Sequence, residues 1–249
     1  MFFIRIFENP IQILGQINIT NAEGILGVVA LVVAILFALS IHEMAHGYVA
    51  LKCGDRTAKD LGRVTINPIK HIDIIGTCML LIVGFGWAKP VPVNPQNFKK
   101  QRRDSFLVSI AGILANLITA FVFVAITGLL VQLMVGSASF FVNNRFWYLL
   151  LYLFTMFFFF LTLISVGLAV FNILPLYPLD GYRMIASGVG EDNKVMDFLK
   201  KYSLYIIIVL LLLDFLPSSP FSWFLSTIRG GILWVFGWFW QLLGIPSVF

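Results

Sequence analysis

Residues 24–51 read GILGVVALVVAILFALSIHEMAHGYVAL, and this stretch decides the fold. It is apolar over a length that lets a helix cross a bilayer. Its one formal charge is Glu43, which lies inside the sequence H-E-M-A-H at residues 42–46. We therefore predict a membrane-spanning helix that carries an ionisable cluster in its second half.

His42 and His46 are four positions apart, so a helix places both imidazoles on one face, one turn apart. Two such imidazoles can chelate zinc, and a Glu beside the first can act as a general base on water. The alternative is a chance H-E-x-x-H on a solvated helix face. An unpaired charge in hydrocarbon costs about 2.5–3.5 kcal/mol or more, so the apolar setting favours a metal site.

The composition is that of a multi-span membrane protein. Of the 249 residues, 59% are hydrophobic and 12% are charged, whereas soluble domains carry about 25% charged residues. The net charge of +5 indicates membrane topology rather than nucleic-acid binding, because the basic residues flank apolar spans. Cys53 and Cys78 lack a metal-type spacing, so we expect neither a disulfide nor a thiolate site. Residues 1–23 show no cleavable signal pattern, and we expect them to lie at the membrane interface.

The rest of the chain predicts an all-α polytopic membrane protein with about five to six transmembrane helices. Further spans are expected at residues 106–135, 146–174, 202–216 and 221–243. Residues 72–87 are apolar but short for a span, so we expect a re-entrant hairpin with a β-edge region between the first two spans. Residues 62–67 (GRVTIN) alternate as a strand does, and prolines hold residues 88–94 (AKPVPVN) extended. Either segment could pair with an unwound substrate, and a plain loop is the alternative.

Basic residues predict the orientation in the membrane. Residues 52–103 contain ten Lys or Arg, residues 175–201 contain four, and residues 136–145 contain one. The positive-inside rule places the first two segments in the cytoplasm, provided that residues 72–87 enter the membrane and return. His42 precedes this basic stretch by about 15 Å of helix. We therefore expect a multi-pass protein of the cytoplasmic membrane, with its site inside the bilayer toward the cytoplasmic side.

A catalytic zinc needs a third protein ligand, and Asp180 is the strongest candidate. It lies in FNILPLYPLDGYR, residues 171–183, directly after the third long span. Pro175 and Pro178 block helix continuation, and irregular backbone at membrane depth is tolerated only where it lines a cavity or is buried in protein. Gly181 permits a tight turn after Asp180. A plain Asp-Gly turn is the alternative, but the histidine motif favours the ligand.

Together these motifs resemble the site-2 protease family of intramembrane zinc metalloproteases, peptidase family M50. The family pattern H-E-x-x-H stands at residues 42–46, and N-x-x-P-x-x-P-x-D-G stands at residues 172–181 as NILPLYPLDG. Residues 62–77 and 86–98 are similar to linking segments of short bacterial and archaeal members. The chain departs from the family's G-P-x-x-N at residues 112–116, where GILAN has Ile in place of Pro. The resemblance indicates a minimal form without PDZ or CBS domains.

The resemblance implies a reaction and a set of site residues. His42, His46 and Asp180 would bind Zn2+. Glu43 would activate water and then protonate the leaving amine, while Asn172 would donate a hydrogen bond to the oxyanion. For Asn172, a hydrogen bond to local backbone is an equal alternative. The partners would be transmembrane protein or peptide substrates within the lipid bilayer.

The same interpretation divides the chain into an N-terminal interfacial segment (1–23), a catalytic core (24–183) and a C-terminal loop with transmembrane helices (184–249). For Asn116 we favour helix packing over a role in the site, and for His71 we favour a structural role over metal binding.

The alternative function is a membrane transporter or channel with an intramembrane metal or proton site. Such proteins often contain inverted repeats, and no repeat relates the two halves of this chain.

Overall fold

The computed structural model describes residues 21–76, 88–190, 193–213 and 219–249. These residues form helices and connecting segments, with no β-strand among them. The predicted interfacial segment lies almost wholly outside the described residues, as does most of the predicted re-entrant hairpin. The α-helices used below are α1 (Ala22–Cys53), α2 (Thr57–Asp60), α3 (Gln101–Gly136), α4 (Ala138–Asn143), α5 (Arg145–Asn172), α6 (Asp180–Val189), α7 (Lys194–Leu213) and α8 (Pro220–Leu242).

Three helices, α1, α3 and α5, are long and apolar enough to cross a membrane. They have 32, 36 and 28 residues and contain the first three predicted spans almost completely. The predicted spans at 202–216 and 221–243 overlap α7 and α8, which do not meet the same combination of length and hydropathy within the described residues. The structure therefore confirms a helical fold with three candidate membrane spans among the described residues, and the count of five to six stays a prediction.

A stripe of small side chains lets α1 pack closely against α3 and α5. Ala30, Ala34 and Ala38 repeat every four residues and are at most 1% exposed. His42 and His46 continue this spacing and are 5% and 8% exposed. Because small residues let membrane helices approach each other, the stripe directs the histidine pair into the helix interface rather than toward lipid.

α3 faces α1 with a stripe of the same spacing. Its buried members are Val108, Gly112, Asn116, Ala120 and Val124. His46 contacts Val108, while His42 contacts Asn116, so the two helices run antiparallel where they pass the histidines. The packing of two stripes, each with four-residue spacing, thus brings the backbone and side chains of α3 directly against the predicted metal ligands.

Asp55 holds the loop that connects α1 to α3. It is fully buried directly after α1, and it accepts hydrogen bonds from Asn94 N–H at 2.7 Å and Asn97 Nδ2 at 2.8 Å. Burial raises the pKa of Asp55, but hydrogen bonds from Thr57, Asn94 and Asn97 outweigh burial and hold the pKa below its ordinary value of 3.8. Asp55 is therefore an ionised anchor for the end of the extended segment.

No strand forms at residues 62–67 or 88–94 among the described residues, so the two segments do not pair with each other, and pairing of either with a substrate stays a prediction. Side chains bind the backbone of the second segment instead, as when Arg63 Nη2 donates to the Lys89 carbonyl at 2.7 Å. Prolines in this segment also lack the N–H donors that a ladder needs. It is thus an extended chain held beside α1 by individual side chains.

Asp180 is the first residue of α6, and the start of this helix packs closely against the backbone that follows α5. Two prolines end the preceding helix, as the sequence predicts, and the chain turns back before α6 begins. A Cβ on Gly181 would overlap the carbonyl oxygens of Ile173 and Leu174. Gly181 is therefore required because two backbone segments touch, rather than for the tight turn that the sequence suggests. This contact brings Asp180 toward α1.

Candidate metal centre

Three side chains from two distant parts of the sequence converge at one buried point. His42 Nε2 and His46 Nε2 lie 3.1 and 3.2 Å from Asp180 Oδ2, and the two Nε2 atoms lie 3.0 Å apart. The three residues are 5%, 8% and 6% exposed. Ligand atoms at zinc bond lengths near 2.0 Å lie about 3.3 Å apart in a tetrahedral site. The observed triangle thus fits a single zinc ion after shifts of a few tenths of an ångström.

The donor set supports a metal rather than a hydrogen-bonded cluster. Asp180 Oδ2 is buried, and no donor in the described part of the chain meets it with hydrogen-bond geometry. It faces two imidazole nitrogens that also approach each other closely. Electron-rich atoms at these distances need a cation or shared protons between them. Two imidazoles and one carboxylate are also ligands that zinc prefers.

A backbone carbonyl fixes the proton position on His46. Its Nδ1 lies 2.7 Å from the carbonyl oxygen of Val108 in α3. A carbonyl only accepts hydrogen bonds, so Nδ1 carries the proton and neutral His46 presents a lone pair at Nε2. The contact therefore orients the ring and leaves its other nitrogen available to a metal.

Gly112 lets α3 approach both imidazoles. A Cβ at this position would lie 2.6 Å from His42 Cε1 and from His46 Nε2, well inside the contact distance of about 3.5 Å. The backbone of α3 thus forms one wall of the metal centre. In the sequence, Gly112 stands out only as part of GILAN, although the four-residue spacing from Gly112 to Asn116 matches the spacing of the histidine pair.

Asn116 contacts the imidazole of His42, in addition to the packing role that its sequence context favours. Its side chain is fully buried, and Nδ2 lies 3.1 Å from His42 Nδ1. The two nitrogens belong to residues 74 positions apart in the chain. Only the packing of α3 on α1 reveals this contact.

The extended loop segment positions Glu43. Its Oε2 accepts a hydrogen bond from the backbone N–H of Val91 at 2.7 Å, and Val91 itself packs against Gly47 one turn further along α1. The sequence identifies Glu43 as the candidate base but gives no sign of this partner. The bond holds one carboxylate oxygen in place and orients the other, Oε1.

Two further polar residues lie outside the ligand cluster. Asn172 Nδ2 donates to the Leu168 carbonyl at 2.9 Å, which is the local backbone bond that the sequence left open as an alternative. His71 is 2% exposed, and its Nε2 donates to the Thr65 carbonyl at 2.8 Å within the loop. The geometry of His71 agrees with the structural role predicted for it.

A cavity of about 720 Å³ lies beside the extended segment and α6. Pro90, Val91 and Tyr182 are among the residues that line it. Val91 therefore lines this cavity and also donates its backbone N–H to the Glu43 carboxylate. Val91 thus links the cavity wall to the candidate base.

The sequence profile of peptidase family M50 matches residues 30–213. The chain belongs to peptidase family M50. The matched region contains all three clustered residues and Glu43, and it extends from the first spanning helix through α7.

Curated relatives carry names consistent with this family. "Putative zinc metalloprotease YwhC" of Bacillus subtilis (strain 168) is 40% identical over 181 residues, which cover 72% of this chain and 78% of that protein. "Putative zinc metalloprotease Rip2" of Mycolicibacterium smegmatis is 27% identical over 227 residues, covering 89% and 77%. The Rip2 protein of Mycobacterium tuberculosis (strain H37Rv) is 28% identical over 223 residues, covering 84% and 74%. No solved structure matches closely enough to count as similar. This member of family M50 is thus a zinc metalloprotease, and its buried group of His42, His46 and Asp180 could bind Zn2+.

Proposed function

We propose that this zinc metalloprotease hydrolyses peptide bonds of membrane-embedded substrates within the bilayer. The observation that carries the proposal is the convergence of His42, His46 and Asp180 beside a spanning helix. Eleven residues separate His42 from the end of α1 at Cys53, or about 17 Å at 1.5 Å per residue. An ionisable cluster at such depth is costly unless it serves a function.

The proposed metal ligands are His42, His46 and Asp180. Three protein ligands with a fourth position open are typical of catalytic zinc. When bound, Zn2+ would supply a Lewis acid that polarises the scissile carbonyl and lowers the pKa of water to about 7. Val108 supports this arrangement, because its carbonyl keeps the proton of His46 on Nδ1.

Glu43 is the proposed general base and later the general acid. Val91 N–H occupies Oε2, so Oε1 is the oxygen that accepts a proton from water and returns it to the leaving amine. Asn172 is the proposed donor to the oxyanion. For that role its Nδ2 must leave the Leu168 carbonyl, to which it donates at 2.9 Å, and turn toward the substrate.

The extended segment 88–94 is the proposed substrate platform. A helical substrate hides its carbonyls in backbone hydrogen bonds and must unwind before attack. The segment is held extended beside Glu43 and borders the 720 Å³ cavity, so an unwound peptide could pair with it by backbone hydrogen bonds. The cavity would also admit water from the cytoplasmic side.

The same proposal includes the location and division of the chain. The three candidate spans and the M50 family indicate a membrane protein. We place it in the cytoplasmic membrane with its site toward the cytoplasm, because the loop between α1 and α3 is rich in Lys and Arg. Residues 24–183 would be the catalytic core, flanked by an interfacial segment (1–23) and a C-terminal helical region (184–249).

A cleavage assay tests the proposal directly. The purified full-length protein, reconstituted with Zn2+ in liposomes, is incubated with a transmembrane peptide substrate. Glu43→Gln is expected to abolish cleavage while zinc content stays at the wild-type level, because this residue moves protons but does not bind the metal. Asp180→Asn and His46→Ala are expected to lose zinc as well as activity.

The matched control is Glu23→Gln, which changes a glutamate on the same helix. Glu23 lies near the start of α1 and is 3.4 Å from Arg145 Nη2, far from the cluster along the helix. This variant is expected to cleave like the wild type. Cleavage by Glu43→Gln at the wild-type rate would overturn the catalytic assignment. Zinc transport across the liposome without cleavage would favour the transporter alternative.

A further inference from the structure

The proton positions on the His42 imidazole depend on what faces its two nitrogens. Nε2 faces Asp180 Oδ2 at 3.1 Å and His46 Nε2 at 3.0 Å, so it is the nitrogen that would bind zinc. A neutral imidazole that presents a lone pair at Nε2 carries its proton on Nδ1. That Nδ1–H needs an acceptor, because the ring is buried at 5% exposure.

The side-chain amide of Asn116 is the group that faces His42 Nδ1. In the orientation of the structure, Nδ2 is the nearer atom, at 3.1 Å. Meanwhile Oδ1 of the same amide is buried without a hydrogen-bond partner among the described residues. A half-turn of the amide exchanges two nearly isosteric atoms. It gives Nδ1–H its acceptor and the buried Oδ1 its donor.

The histidine on the next turn provides the comparison. His46 Nδ1 already faces a backbone acceptor, the Val108 carbonyl, at 2.7 Å. Val108 and Asn116 are eight residues apart on the same face of α3, and Gly112 between them removes the side chain that would separate α3 from the rings. With the Asn116 amide turned, one face of α3 would offer an acceptor to each imidazole.

We propose that Asn116 is a positioning residue for zinc: its Oδ1 accepts the His42 Nδ1 proton and leaves the Nε2 lone pair for the metal. This inference rests on the ligand set of the proposed function. Without an acceptor at position 116, His42 would carry its proton on Nε2, the nitrogen that faces Asp180 Oδ2 at 3.1 Å. Zinc would then have to displace that proton, and its affinity would fall.

The test is a zinc-competition titration of the purified full-length protein in detergent micelles. Asn116→Leu keeps the approximate size of the side chain and removes the acceptor, so zinc affinity is expected to fall about 10- to 100-fold. Asn116→Asp keeps an acceptor oxygen at the same position and is expected to stay within a few-fold of the wild type. Thr127→Val is the matched control. Thr127 is a buried polar residue of α3 at 1% exposure whose hydroxyl donates to the Phe123 carbonyl one turn earlier, and its substitution is expected to leave zinc affinity unchanged.

A His42→Ala variant separates failure of this inference from failure of the proposed function. If His42→Ala binds zinc like the wild type, the ligand set itself is wrong. If zinc binding needs His42 but Asn116→Leu keeps wild-type affinity, the role of Asn116 is overturned and the ligand set stands. If Asn116→Leu does not fold, Asn116→Asp decides, because a tenfold or greater loss of affinity there would also overturn the inference.

Discussion

Replacing Gly112 with Ala tests whether α3 forms a wall of the metal centre. The added Cβ would lie 2.6 Å from His42 Cε1 and His46 Nε2, against a contact distance of about 3.5 Å. The rings or the helix must therefore move by about 0.9 Å. Metal–ligand distances tolerate only about 0.2 Å, so the substitution is expected to break at least one ligand bond.

The expected loss in zinc affinity is at least about 100-fold, or about 2.8 kcal/mol at 1.4 kcal/mol per tenfold. Helix stability should change in the opposite direction, because Ala is favoured over Gly inside a helix by about 0.5–1 kcal/mol. The variant is therefore expected to retain its helical content while it loses metal. This separation distinguishes a local steric effect from general unfolding.

The assay combines chelator competition for zinc affinity with circular dichroism for helical content, on the full-length protein in detergent. Gly136→Ala is the matched control on the same helix, because no atom of the described residues lies within 4 Å of an added Cβ there. It is expected to bind zinc like the wild type. Wild-type zinc affinity in Gly112→Ala would refute the close approach of α3 to the histidines.

Three further predictions concern the segments that place the site. Val91→Pro removes the N–H that holds Glu43 and is expected to lower kcat/KM for peptide cleavage about tenfold or more. Val93→Pro in the same segment should lower kcat/KM less, and equal losses would contradict the role of the hydrogen bond. Gly181→Ala forces a Cβ onto backbone carbonyls, so zinc content measured after dialysis should fall, and full zinc occupancy would count against the packing described above. Asp55→Asn is expected to lower stability at pH 7 by about 1–3 kcal/mol. Because the folded pKa of Asp55 is depressed, its contribution is present above the ordinary carboxyl pKa of about 4 and is lost as pH falls through the folded pKa. The difference between the thermal melts of wild type and variant should therefore shrink as pH falls below about 4, and a gap independent of pH would disprove the ionised anchor.

The three residues proposed to bind zinc could be identified from sequence because each depends on a local signal. The H-E-x-x-H spacing places His42 and His46 on one helix face whatever the tertiary structure. The prolines after α5 forbid a continuous helix and so mark Asp180 as an unusual carboxylate at the end of a span. The structure brings these three side chains together as expected.

The sequence could not show which atoms face each other. Asn172 has a local backbone partner in Leu168, and hydrogen-bonding capacity alone could not distinguish that bond from a role as oxyanion donor. No strand forms at residues 62–67 or 88–94 among the described residues. Alternation of side chains cannot show that Asp55 and Arg63 take the backbone groups that a ladder would use.

The sequence by itself determined the chemistry of this protein: an apolar helix with two imidazoles and a carboxylate, and a second carboxylate after a proline-broken span. Tertiary structure decided what surrounds that chemistry, namely Gly112 and Asn116 against the imidazoles and Val91 against Glu43. The physical reason is the distance along the sequence over which each interaction acts. Helix periodicity and proline geometry act over a few residues and are legible in one dimension, whereas these contacts join residues 48 and 74 positions apart. The contacts of Gly112 and Asn116 exist because α1 and α3 pack along matching stripes, and the contact of Val91 exists because the loop between these two helices is held beside α1.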